Sequence, residues 1–110
     1  MEELIIYCLD DSELMEFNSI NRGFRSDIYV EINDNVFQLI VYDIVRLCQD
    51  FESELNDQGF FAVDPNLIIV KEVAVDIIKQ TIDKLHKQKY FDKIKPLSRD
   101  EIEKLTLTPC

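Results

Sequence analysis

With 110 residues, 46% of them apolar, the chain has material for one hydrophobic core and one domain. Two Gly and three Pro exclude a turn-rich β-sandwich and a disordered chain. No apolar run approaches the roughly 18 residues of a membrane span, and no lysine-flanked leader opens the sequence, so a cytoplasmic protein is expected. The net charge of −10 is unevenly placed: residues 1–70 hold fifteen Asp and Glu against three Arg and no Lys, whereas residues 71–110 hold seven acids against nine Lys and Arg. The first region repels a phosphate backbone and attracts a basic protein.

In chain order, Leu4-Ile5-Ile6-Tyr7-Cys8-Leu9 reads as a strand buried on both faces and stopped by Asp10-Asp11. Asp11-Ser12-Glu13 can cap a short helix that turns Leu14, Met15, Phe17 and Ile20 inward, with Asn21-Arg22-Gly23 as a loop. Residues 27–32 and 36–42 form a hairpin. A two-residue turn at Asp34-Asn35 pairs Ile32 with Phe37, Val30 with Leu39 and Ile28 with Val41, so that every pair on one face is apolar. The other face pairs Glu31 with Gln38 and Tyr29 with Ile40, and a one-residue slip would spoil both faces.

Asp43 is the N-cap of a second helix that ends at Gly59, and Ile44, Leu47, Cys48, Phe51 and Leu55 form its expected buried stripe. Phe60–Val63 is a short extended piece, and Leu67-Ile68-Ile69-Val70 a second fully apolar strand. A long amphipathic helix runs from Ala74 to Tyr90 or Phe91, with Ile77, Ile78, Thr81, Ile82 and Leu85 on its apolar face. Ser98-Arg99-Asp100-Glu101 is a capping box that opens a last short helix, and residues 106–110 make a loose tail. The fold class is α+β: a four-stranded mixed or antiparallel sheet with helices packed on it. If the first helix forms, the order is the βαββαβ of a ferredoxin-like sandwich plus C-terminal helices.

The inventory for catalysis is thin. Cys8, Cys48 and Cys110 are an odd set with no close pair. The first two read as small buried hydrophobes, so neither a disulfide nor a cysteine metal site is expected. A lone His86 excludes a multi-histidine zinc site, and Gly23 and Gly59, the only glycines, exclude a glycine-rich phosphate loop. No cofactor is expected. Lys71-Glu72 lacks the order and spacing of a metal-dependent nuclease set. Lys84, Lys87, Lys89, Lys93 and Lys95, interleaved with Tyr90 and Phe91, form the one basic patch. The net charge opposes its use on nucleic acid.

Two acidic groups remain. Asp10, Asp11, Glu13 and Glu16 lack calcium-loop spacing and suit a helix start, where the dipole favours carboxylates. Asp50, Glu52, Glu54 and Asp57 are expected on the exposed arc of the second helix, too wet for acid–base catalysis. They read first as a plain solvated face and second as a recognition surface; the missing lysine strengthens the second reading, because ordinary surfaces mix both signs. On the second hairpin face, Tyr29, Glu31 and Tyr42 are an acidic, aromatic docking face if helices cover only one side of the sheet. If the C-terminal helices fold over them, they are core.

In size, acidity and α+β order, residues 3–95 resemble the small acidic immunity proteins of bacterial toxin–immunity systems, including those of contact-dependent inhibition. That resemblance implies a cytosolic, non-enzymatic protein that binds and blocks the basic, nuclease-type toxin domain of its own system. Two other classes fit the composition: an adaptor or homodimer built through the Tyr29 face, and a nucleic-acid mimic with regularly spaced carboxylates. An enzyme would need a deep pocket holding a desolvated carboxylate beside Tyr or His86.

Overall fold

The computed structural model describes residues 3–110 as one α+β unit. Its five-stranded sheet has the order β4-β3-β2-β1-β5. The strands are β1 (Leu4–Cys8), β2 (Phe24–Ile32), β3 (Asn35–Tyr42), β4 (Leu67–Ile69) and β5 (Thr108–Pro109). The helices are α1 (Glu13–Arg22), α2 (Ile44–Gln58), α3 (Val75–Lys87) and α4 (Arg99–Glu103), with a 3₁₀ turn at Tyr90–Asp92. Strands β1 to β3 form an antiparallel meander, and α2 is the crossover that returns the chain to β4, parallel to β3. This is not the interleaved order of a ferredoxin-like sandwich, because β1 and β2 pair directly across α1.

The fifth strand comes from the segment expected to hang loose. Thr108 and Pro109 pair with Cys8 and Tyr7, and the Cys110 amide donates to the Ile6 carbonyl. A proline is tolerated there because β5 is an edge strand, where its missing N–H forfeits no ladder bond. Cys110 forms a disulfide with Cys8, which corrects the expectation of three free thiols; Cys48 is the free one, and it is exposed.

The hairpin closes one pair earlier than expected. Asn33 (φ 51°) and Asp34 (φ 69°) take the two turn positions, and Asn35 opens β3 opposite Ile32. Two consecutive positive φ values match the right-handed twist of a tight hairpin, and Asn and Asp tolerate that region. Val30 therefore faces Phe37 and Ile28 faces Leu39, a two-residue slip from the expected register. Such a slip keeps every side chain on its own face, so apolar alternation cannot detect it.

The core lies between one sheet face and α3. Cys8, Ile28, Val30, Leu39, Val41, Val73, Ile78 and Ile82 are almost wholly buried, and Phe37 packs against Phe91 with ring centroids 5.3 Å apart. The apolar face of α3 points where its spacing predicts, but the helix stops at Lys87, because Lys89 turns left-handed (φ 61°). The capping box at Ser98 and Glu101 forms. Strand β1 is only half-buried apart from Cys8, and Ile69 of β4 is exposed, since both strands lie away from the centre of the sheet.

Helix α1 forms under a Ser12 cap, and Asn21 and Arg22 extend it to a left-handed Gly23. Its burial differs from expectation: Leu14 and Phe17 are exposed, and Ser19 is the fully buried residue. The Cα radius of gyration is 14.4 Å, against about 13 Å for a compact domain of this size. That agrees with an α2 in which no residue is fully buried.

Candidate functional site

Helix α2 carries four carboxylates, Asp50, Glu52, Glu54 and Asp57, and its orientation differs from the expected one. Its start is fixed by the Asp43 carboxylate, which accepts the Arg46 amide at 2.8 Å, and its end by a left-handed Gly59. Asp50, Glu54 and Gln58, spaced four apart, face back toward the sheet. With Ser53 they line a groove of about 430 Å³ whose other wall is Phe24, Ile40, Tyr42, Phe61 and Leu67. Of the expected apolar stripe, Ile44, Cys48, Phe51 and Leu55 turn away from the core, and Leu47 is half-buried. Ile44 is 57% exposed, Phe51 46% and Leu55 38%.

The physical reason lies in the groove. Tyr42 donates its hydroxyl to Asp50 Oδ2 at 2.8 Å, and Arg46 Nε donates to Asp50 Oδ1 at 3.0 Å. The Arg46 guanidinium sits 5.7 Å from the centroid of the Phe24 ring, and Phe24 packs on Tyr42. These polar anchors hold the Asp50 side of the helix against the sheet, which leaves most of the apolar stripe exposed, with Phe51 packed on the Phe61 ring at 5.9 Å. Burial, reinforced by the Asp50 carboxylate, pushes the Tyr42 hydroxyl up to about 12.

The anchors also use up the local positive charge. Arg46 is committed to Asp50, and no Lys or Arg among the described residues is ion-paired with Glu52, Glu54 or Asp57. Glu54 accepts from Gln58 Nε2 at 2.7 Å, and all three carboxylates are exposed. The C-terminal lysines do not neutralise them. Lys87 pairs with Asp83 of its own helix, and Lys87 and Lys89 line a separate groove of about 570 Å³ with His86, Asp92 and Asn33.

The remaining expected site residues are dispersed. Asp10 accepts the Ser12 amide at 2.9 Å, and that bond holds its carboxyl below the usual range. Asp11 and Glu13 are exposed beside it at the start of α1. Glu16 has an internal role: its Oε1 accepts the Val75 amide at 2.8 Å and so caps α3, whose own N-cap is Ala74. Glu31 accepts from the Tyr7 hydroxyl at 3.2 Å. Tyr29 is 4% exposed and belongs to the interior of the second sheet face, which removes it from a docking surface. Tyr42, Asp50 and Glu54 do converge on the groove; the α1 acids, Tyr29 and Glu31 do not line it.

A buried ion pair escaped sequence reasoning. Arg25, 1% exposed, donates Nε to Asp27 Oδ1 at 2.5 Å and Nη2 to Oδ2 at 3.2 Å. A bulge between Arg25 and Ile28 makes room, and the network runs on to the Asp10 carbonyl and the Leu9 amide. Among the described residues no buried side-chain nitrogen or oxygen is left without a hydrogen-bond partner, the condition for tolerating such charges. The available signal was an Arg and an Asp two residues apart where the strand meets the helix.

Among the described residues no group of three His, Cys, Asp or Glu side chains is placed to hold a metal ion, and no helix is long and apolar enough to cross a membrane. No family model, curated protein or solved structure matches the chain.

Proposed function

We propose that this protein is a non-enzymatic binding module that docks a basic protein on the α2 side of the sheet. In this reading it is an immunity protein that neutralises a nuclease-type toxin domain in the cytoplasm. The observation that carries the reading is that Glu52, Glu54 and Asp57 have no ion-pair partner among the described residues, on a helix whose one arginine is already engaged. Uncompensated charge of one sign on a small domain speeds encounter with the opposite sign and costs stability through self-repulsion. Binding rather than acid–base catalysis also suits the titration pattern. The tyrosines are raised by burial, while the two displaced carboxyls, Asp10 and Glu101, are lowered by hydrogen bonds, so neither is kept as an acid.

The test is the C-terminal domain of the polypeptide encoded directly upstream, purified and mixed with this protein. A basic domain that forms a one-to-one complex on gel filtration, and whose toxicity is suppressed by co-expression, is the expected result. An acidic domain, or one that stays unbound at low salt, overturns the proposal.

A further inference from the structure

Exposed apolar side chains are normal singly, but a contiguous set on one helix is not. On α2 the stripe of Ile44, Cys48, Phe51 and Leu55 is exposed, and in the following loop Phe60 is 56% and Val63 68% exposed; the Phe51 and Phe61 rings stand 5.9 Å apart. Such a stripe, three to four residues per two turns, is the face by which a helix normally joins a core. Here the sheet already holds the opposite side of the helix through Asp50 and Tyr42, so rotating α2 inward would break those bonds.

Charge decides what can cover this face. Helix α2 carries one Arg against Asp50, Glu52, Glu54 and Asp57. Helical spacing puts Glu52 at one margin of the stripe and Glu54, which also lines the groove, at the other, while Asp57 lies on the far side of the helix. A second copy laid antiparallel on the same face would bring acid against acid along both rims, a repulsive arrangement. An amphipathic helix with apolar residues at three- and four-residue spacing and Lys or Arg on its flanks meets both requirements.

We infer that the outward apolar face of α2 is the anchor of the interface and that it takes a basic-flanked amphipathic helix of the partner. The inference rests on the binding role proposed above and adds the recognition element. Acidic residues bring the partner in, and Phe51 and Leu55, at the middle of the stripe, hold it.

The test uses a synthetic helical peptide with a leucine stripe and lysine flanks, its counterpart with glutamate flanks, and protein labelled with a fluorophore at Cys48, the free exposed thiol within the stripe. The lysine-flanked peptide is expected to bind one-to-one and to shift the label, and the glutamate-flanked peptide to bind at least about tenfold more weakly. Phe51→Ser with Leu55→Ser is expected to weaken the lysine peptide about thirtyfold. Both side chains are exposed, and circular dichroism should show the fold retained. Equal binding of the two peptides, no loss in the double variant, or a dimer in light scattering that buries the label would each overturn the inference. Failure of the upstream domain to bind while the lysine peptide binds normally would remove the toxin reading and leave this surface standing. Binding of that domain unaffected by the double variant would do the reverse.

Discussion

Gly23 and Asp43 show how single residues set the geometry of the site. Gly23 ends α1 at φ 68°, its carbonyl accepts the Asp43 amide, and a Cβ placed on it would lie 2.4 Å from the Asp43 carboxylate that caps α2. Gly23→Ala should therefore impose a left-handed alanine and displace a helix cap together, a loss of about 2 kcal/mol in urea unfolding. A loss below about 0.5 kcal/mol would show that the two helix ends are not coupled there. Tyr42 sets a second expectation. Its neutral form is favoured by the fold, so its contribution is complete below the unfolded value near 10 and is lost as pH rises through about 12. Stability should then fall across that alkaline window, with tyrosinate absorbance appearing late. Tyr42→Phe should flatten the fall and remove about 1 kcal/mol at neutral pH. Ionisation of Tyr42 near pH 10 in a protein that stays folded would contradict the assignment.

Among the elements, α3 depends on a residue fifty-nine positions away: Glu16 of α1 supplies the cap that Ala74 cannot. Glu16→Ala should cost about 1 kcal/mol and speed amide exchange at Val75, whereas the neighbouring Glu13→Ala should do neither. Exchange unchanged at Val75 would mean that the contact is incidental. This residue also illustrates what a sequence can express. The strands at residues 4–8 and 67–69, the hairpin, the α2 caps and the α3 stripe were all legible, because local spacing and turn chemistry encode them. The role of Glu16, the Arg25–Asp27 pair and the β5 return are long-range placements, and no local period records those. Helix α2 is the instructive failure. Its amphipathic pattern was read correctly, but pattern alone cannot say that Asp50 and Tyr42 would bind the polar side inward. The hairpin register slipped by two because period-two alternation is blind to that shift.

At the scale of the whole molecule, the chain is closed by the Cys8–Cys110 disulfide across a separation of 102 residues, which fastens β5 to the β1 edge. Constraining the unfolded chain over so long a loop is worth about 4–5 kcal/mol in the chain-entropy picture. Cys110→Ser, or reduction, should lower stability by that amount and speed exchange along Leu4–Cys8; a neutral effect would show that β5 holds without the bond. Disulfides are uncommon in the cytosol, so the thiol state of protein recovered from cells bears directly on the proposed cytoplasmic role.

The proposed binding role rests on negative charge without ion-pair partners among the described residues along α2, next to an exposed apolar face. The most direct measurement is the association rate with the proposed basic partner domain over a range of salt, for the native protein and for Glu52→Lys, Glu54→Lys and Asp57→Lys combined. Association is expected to be at least about tenfold slower at low salt in the triple variant, with a flatter salt dependence. An unchanged rate and slope would contradict the proposed role.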